Sequence, residues 1–107
     1  GVVVSTRKKT GGSGAALRGV QGEYAGQTIP LSASAVIGRG TASGVKLSDA
    51  LVSRSHARIR LTYYGWYIQD MQSRYGTYVN GQLVKAAKLN NGDQIMIGNS
   101  VFLFLAD

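Results

Sequence analysis

The sequence predicts an all-β domain, either a sandwich or a barrel. Short β-prone segments recur along the chain with turn residues between them, which is the pattern of all-β sandwiches and barrels. Fifteen glycines supply turn positions, and no segment of about ten residues or more carries the apolar period of a helix. The length of 107 residues fits one domain.

Turn chemistry divides the first half of the chain. "ALRGVQG" and "QTIPLS" flank "EYAG" and predict a hairpin, in which Pro30 indicates an edge strand because proline cannot donate a ladder hydrogen bond. "AVIGR" predicts a short strand, and "ASGVKLSDALVS" predicts a loop with a brief strand at "VKL". The linker composition of "TGGSG" predicts that residues 1–14 are a flexible tail or linker and that residues 15–107 form the domain.

The second half is predicted to consist of hairpins. In "HARIRLTYYGWYIQD", Ala57, Ile59 and Leu61 fall on one face and Arg58 and Arg60 on the other, which is the period of a strand. The Asn-Gly pair of "TYVNGQLV" is the strongest short hairpin signal. "LNNGDQIMIG" and "NSVFLFLA" predict two closing strands joined through a Gly-Asn turn.

Composition limits the classes of function. The chain has no cysteine and a single histidine, His56, so we expect no metal site and no other cofactor. We expect no membrane span, since no apolar run is long enough, and no signal peptide, since the first apolar patch is too short. A protein without cysteine suits a reducing compartment, and we expect the chain to be cytoplasmic or the cytoplasm-facing part of a larger protein. Twelve Lys and Arg against five Asp and Glu give a net charge of +7, which favours an anionic partner.

The segment "LVSRSHAR" at residues 51–58 admits two interpretations. In a hydrolase, Ser53 or Ser55 would be the nucleophile, His56 the base, and Asp49 or Asp70 the group that orients it. Adjacent strand residues point to opposite faces, so Ser55 and His56 match poorly, and Ser53 reaches His56 only through a turn. The chain also lacks the G-x-S-x-G elbow, and we expect no enzyme and no catalytic residue. A hydrogen-bonded, structural His56 is the favoured interpretation.

Two other anionic ligands are disfavoured. "GRGTASG" lacks the Gly-Lys-Ser/Thr ending of a phosphate loop and no helix follows it, so an ordinary connection is favoured over a nucleotide site. The tyrosines and Trp66 of "YYGWYIQD" could stack on bases, but aromatic clusters in β-rich chains more often pack in the core or across strands. We therefore expect no nucleic-acid partner.

A phosphate carried by a protein fits the placement of the polar residues. Arg39 ends a predicted strand, Ser53 and Arg54 precede "HARIRL", and Arg74 and Tyr75 lie in another loop. Arginine supplies a planar, permanently charged fork for phosphate, and loops on a rigid scaffold often carry binding sites. Spacing alone does not bring these loops together.

Four motifs in order carry a resemblance to a known family: "IGR", "VSRSHARI", "DMQSRYGTYVNG" and "LNNGDQIMIG". From about Ala16 to Ala106 the chain resembles a forkhead-associated (FHA) domain. The resemblance implies an eleven-stranded β-sandwich that binds phosphothreonine peptides through loops at one end. Such domains are known readers of phosphorylated motifs.

The resemblance also implies roles for individual residues. Arg39 would pair with the phosphate, Ser53 would donate its hydroxyl to a phosphate oxygen, and Arg54 would add a backbone amide and its guanidinium. His56 would hold Ser53 in place. Asn80 would hold the peptide backbone or the adjacent loop.

The remaining candidates lie around the Gly-Thr pair of the third motif. Gly76 and Thr77 would fix the turn beneath the site, and Gly38 would give structural support. Family members often carry a small polar residue or asparagine where this chain has Tyr75, which would donate through its hydroxyl or form an apolar wall. Arg74 would favour an acidic residue downstream of the phosphothreonine, or it is a solvated loop charge. We count both residues among the candidate phosphothreonine-binding residues.

These implications predict a phosphopeptide-binding adaptor module in a kinase-linked signalling pathway. Its partner would be a Thr-phosphorylated protein, with a Ser/Thr kinase upstream. The alternative is a scaffold that uses its β surface for phosphate-independent contacts or self-association. Comparing one peptide with and without its phosphate separates the two.

Overall fold

The computed structural model describes residues 13–107, which form eleven strands and no helix. The predicted all-β sandwich is therefore confirmed. The first strand begins at Ala15, and most of the predicted tail lies outside the described residues. The strands are β1 Ala15–Gln21, β2 Thr28–Pro30, β3 Ser34–Gly38, β4 Val45–Lys46, β5 Ala57–Thr62, β6 Gly65–Asp70, β7 Thr77–Val79, β8 Gln82–Val84, β9 Ala86–Leu89, β10 Gln94–Ile97 and β11 Ser100–Ala106.

One layer is a six-stranded sheet in the order β2-β1-β11-β10-β7-β8. The predicted β1–β2 hairpin is present, and β2 is an edge strand that ends at Pro30, as its missing donor requires. Asn80 and Gly81 form the tight turn between β7 and β8 with φ values of 51° and 80°, the left-handed pair that a type I′ turn demands. The predicted β10–β11 hairpin is also present.

The other layer is a five-stranded sheet in the order β4-β3-β5-β6-β9. Only β3 and β4 pair in parallel there; the other pairs are antiparallel. Ala57 and Ile59 are fully buried as predicted, but Leu61 is exposed, so the alternation of β5 ends near its hairpin turn. The sequence does not predict the edge strand β9 individually, because Ala and Lys are poor strand formers. This segment becomes a strand through its pairing with β6.

Apolar side chains from the facing surfaces of both sheets form a single core. Its large, fully buried members include Leu17, Ile37, Ile59, Ile68, Phe102 and Phe104. Trp66 belongs to this core and meets Phe104 edge to face at 5.7 Å between ring centroids, a favoured aromatic geometry. Trp66 is therefore structural. The core leaves the connections at the strand ends free to form a site.

Candidate functional site

Three loops meet at one end of the sandwich: the β3–β4 loop (39–44), the β4–β5 loop (47–56) and the β6–β7 loop (71–76). Arg39 N donates to Ser53 O at 3.0 Å, which joins the first two loops. Arg74 N donates to Ser53 Oγ at 3.1 Å, which joins the third. The fold thus brings together the loops that spacing alone left apart, with Ser53 at their junction.

Gly38 lets the β4–β5 loop approach β3 closely. A Cβ at this position would lie 2.1 Å from the carbonyl oxygen of Arg54, far inside van der Waals contact. That contact distance leaves room only for glycine. Gly40 N donates to the same carbonyl at 3.0 Å, so the β4–β5 loop lies directly against the end of β3.

His56 is fully buried and joins two of the loops through its ring. Its Nδ1 accepts a hydrogen bond from Ser53 N at 3.1 Å, and its Nε2 lies 2.8 Å from Gly76 O. The neutral tautomer protonated at Nε2 satisfies both contacts. Because the Ser53 amide, and not its hydroxyl, meets the imidazole, the two residues do not form a nucleophile–base pair.

The base of the β6–β7 loop is tied to the end of β6 by the carboxylate of Asp70. Asp70 Oδ1 accepts from the hydroxyls of Ser73 and Thr77, and Asp70 Oδ2 accepts from Ser73 N at 3.1 Å. Burial alone would raise the pKa of this carboxyl, but the hydrogen bonds outweigh it and lower the pKa of Asp70 below 3.8. Thr77 is fully buried, and Gly76 takes the left-handed φ of +95° that the turn needs.

Asp49 anchors the β4–β5 loop to the turn between β10 and β11. Its carboxylate accepts from Asn99 N at 2.8 Å and from Leu51 N at 2.9 Å. These two backbone bonds, that of Asn99 first, lower the pKa of Asp49. From the sequence, Asp49 is a candidate only for orienting a catalytic base, because its partner Asn99 is distant in the chain. The position of Asp49 two residues before Leu51 is the only local sign of its role in the loop.

A shallow pocket of about 130 Å³ opens where the loops meet, and it is lined by Arg39, Ala50, Leu51, Val52, Ser53, Arg74 and Tyr75. Arg39 Nε donates to Val52 O at 3.0 Å, which orients the guanidinium and leaves its terminal nitrogens for a ligand. Two arginines and no carboxylate line the pocket. Such a lining suits an anion.

Arg74 and Tyr75 form the outer rim of this pocket. The Arg74 guanidinium carbon lies 5.5 Å from the centre of the Tyr75 ring, within the range of a cation–π contact. Tyr75 is 52% exposed. The ring therefore forms a partly apolar wall next to a cation.

Two of the predicted binding residues do not line this pocket. The side chain of Arg54 lies against a neighbouring depression of about 260 Å³ with residues of the β3–β4 loop and Ser55. Asn80 Nδ2 donates to Asp93 Oδ1 at 3.1 Å, and Asn80 Oδ1 accepts from Gln94 N at 2.9 Å. The Asn80 side chain thus contacts the start of β10 and the residue before it, and it is not part of the pocket lining.

Residues 13–107 contain no cluster of three or more histidine, cysteine, aspartate or glutamate side chains that could hold a metal ion. In the same part of the chain, no helix has the length and apolar character needed to cross a bilayer.

A β-sandwich with an arginine-lined anion pocket on loops at one end has the architecture of a phosphopeptide-reading module. The model of the FHA domain family matches residues 35–98. That match covers more than half of the chain, and the chain belongs to the FHA domain family.

Curated relatives include proteins of Mycobacterium tuberculosis and Corynebacterium glutamicum. The glycogen accumulation regulator GarA of Mycobacterium tuberculosis is 43% identical over 68 residues, which are 64% of this chain and 42% of GarA. The oxoglutarate dehydrogenase inhibitor of Corynebacterium glutamicum is 39% identical over 69 residues, which are 64% of this chain and 48% of that protein. The chain thus spans less than half the length of these relatives.

Solved structures agree with the family. An FHA domain studied for its phosphothreonine-dependent interactions superposes with a TM-score of 0.77 at 32% identity, over 87% of this chain and 96% of that one. EmbR of M. tuberculosis, solved with a low-affinity phosphopeptide, gives a TM-score of 0.81 at 32% identity, over 98% of this chain and 28% of EmbR.

Proposed function

We propose that this FHA domain binds phosphothreonine peptides in the pocket between Arg39, Ser53 and Arg74. The observation that carries the proposal is the placement of two guanidinium groups and a hydroxyl around one small opening without a carboxylate. An ionised phosphate offers three acceptor oxygens to such donors. A phosphothreonine side chain matches the pocket in charge and in hydrogen-bonding capacity.

Ser53 is set up to donate to the phosphate. A serine hydroxyl has one donor and two acceptor positions, and Ser53 Oγ already accepts from Arg74 N. Its proton therefore remains available for a phosphate oxygen. Arg39 supplies the paired charge, and the guanidinium of Arg74 adds a second cation at the rim.

The apolar part of the pocket would distinguish threonine from serine. Leu51 and Tyr75 line the opening next to Ser53 and are both partly exposed. A threonine γ-methyl group that contacts them would gain about 1 kcal/mol relative to serine.

We place this domain as an adaptor in a kinase-linked pathway. GarA is named a regulator and the corynebacterial relative an inhibitor, which supports a regulatory rather than an enzymatic role. A Ser/Thr kinase would create the ligand, and the domain would act on the cytoplasmic side, where kinases obtain ATP.

The test is a titration with a phosphothreonine peptide library and its unphosphorylated twin. We expect binding only to the phosphorylated set, and Arg39→Ala should weaken it by roughly 2–5 kcal/mol, as for truncating one partner of a buried charge pair. Arg18→Ala is the matched control. Arg18 is an exposed arginine of the six-stranded sheet that contacts Thr28 and does not line the pocket. Equal binding of both sets would favour the phosphate-independent scaffold instead.

A further inference from the structure

The outer face of the five-stranded sheet carries a group of polar and basic side chains that the phosphothreonine pocket does not use. In the ladder, Arg58 pairs with Gln69, Arg60 pairs with Tyr67, and Tyr67 pairs with Lys88. Directly paired residues project from the same face of a sheet, and the intervening residues of β5 and β6 are buried. We call these five residues the basic face: Arg58, Arg60, Tyr67, Gln69 and Lys88.

A groove runs along the basic face. Its larger part, about 370 Å³, is lined by Arg58, Gln69, Asp70, Met71 and Gln72. Its smaller part, about 180 Å³, is lined by Arg58, Arg60, Thr62, Tyr67, Ile68, Gln69 and Ala86. Because Arg58 and Gln69 line both parts, the groove is continuous along β5 and β6. None of its lining residues lines the phosphothreonine pocket.

Arg58 lines both parts of the groove and has an unused donor. Its Nε is shielded from solvent and has no hydrogen-bond partner. A shielded donor without a partner costs free energy, and native structures contain few of them. Because water does not reach this nitrogen, a ligand acceptor would satisfy it once the Arg58 side chain turns toward the groove.

Within residues 13–107, no carboxylate forms an ion pair with the arginines of the basic face. Asp70 is the only carboxylate lining the groove; it keeps its negative charge, but its oxygens accept from Ser73 and Thr77. Elsewhere in residues 13–107, Glu23, Asp49 and Asp93 accept hydrogen bonds from backbone amides. Within that part of the chain, Arg58 and Arg60 have no carboxylate partner.

We propose that the basic face is a second binding site, for an acidic peptide segment of a partner protein. Charge complementarity identifies the occupant. Residues 1–12 contain Arg7, Lys8 and Lys9 and no acidic residue, and a second copy of the chain carries the same net charge of +7, so neither suits the groove. A nucleic acid suits it less well, since Tyr67 is the one aromatic side chain that lines the groove and it is partly buried.

The test is an amide chemical-shift titration of the ¹⁵N-labelled protein with an unphosphorylated peptide of alternating Glu and Ser. Its twin has Gln in place of Glu, and a single-stranded oligonucleotide of equal charge is the third probe. We expect the acidic peptide to shift amides of β5, β6 and β9 and to leave those of Arg39, Ser53 and Arg74 unchanged. The Gln twin should shift none.

Arg58→Gln should weaken the affinity for the acidic peptide by about tenfold. Arg18→Gln removes the same charge from the six-stranded sheet and should change this affinity less than twofold. Arg58→Gln should also keep the stability of the parent protein and its affinity for a phosphothreonine peptide, which separates this site from the pocket. Equal weakening by both variants, shifts confined to the pocket loops, or tighter binding of the oligonucleotide on the same face would overturn the proposal.

Discussion

The β4–β5 loop and the tip of the β6–β7 loop face each other across the proposed phosphothreonine pocket, but the fold holds them differently. Asp49 and His56 tie the first loop to neighbouring segments, and its backbone bonds the β3–β4 loop. At the tip of the second loop, Arg74 and Tyr75 are exposed, and their side chains contact each other. A preorganised group binds with little loss of conformational entropy. We infer that the held loop provides phosphate affinity and the exposed tip reads neighbouring residues.

Among the substitutions predicted here, the removal of His56 should destabilise the β4–β5 loop most. His56→Ala leaves Ser53 N and Gly76 O without their partners and opens a cavity, so the free energy of unfolding should fall by about 2–4 kcal/mol. Urea unfolding measures this loss, with the exposed neighbour Ser55→Ala as the control. An unfolding midpoint equal to that of Ser55→Ala would contradict the bracing role.

Gly38→Ala should displace the same loop from β3. The new Cβ would overlap the Arg54 carbonyl, so we expect a loss of about 1–3 kcal/mol in stability and weaker phosphopeptide binding. Gly44→Ala is the matched control, because the nearest atom to its Cβ would be 3.8 Å away and its φ is not left-handed. Thermal unfolding and peptide titration of the pair test the point; identical behaviour would show that the loop shifts without cost.

Acid should loosen the base of the other loop. The folded-state pKa of Asp70 is depressed, so its contribution to stability is present above its ordinary value of 3.8 and is lost as pH falls through the folded pKa. Asp70→Asn should therefore lower stability at neutral pH and flatten its decline in acid. Urea unfolding from pH 7 to pH 2 measures how the free energy of unfolding changes with pH in the parent protein and in Asp70→Asn. Asp49 shares this dependence, so Asp49→Asn is the comparison, and a parent-like slope in Asp70→Asn would refute the assignment.

The sequence contains the local parts of the fold but not their assembly. Asn80-Gly81 determines its hairpin through backbone conformation, and the alternation around Ile59 identifies a strand with one buried face. Strand β9 depends instead on pairing with β6, which no local pattern encodes. The sheet order likewise depends on contacts between distant segments.

The candidate site divides in the same way. The resemblance to FHA domains singles out Arg39, Ser53 and His56, which the structure brings together. It does not give side-chain direction, and the Arg54 and Asn80 side chains lie outside the pocket. Ser73 is not among the predicted site residues. It donates to Asp70, and its hydroxyl oxygen accepts a hydrogen bond from Gly76 N. These contacts exist only when the turn is closed, so the sequence does not indicate them.

The smallest expected effect concerns the exposed tip. Arg74→Gln keeps the backbone amide that holds Ser53 Oγ but removes the rim charge, so phosphopeptide affinity should fall by less than about 1 kcal/mol, as for exposed ion pairs. Selectivity is the sharper measurement: two phosphothreonine peptides that differ only by Glu or Gln downstream are titrated against parent, Arg74→Gln and the control Arg18→Gln. If Arg74 reads an acidic neighbour, the preference for Glu disappears only in Arg74→Gln. Retention of the preference would make Arg74 a solvated charge and leave phosphate recognition to the held loop.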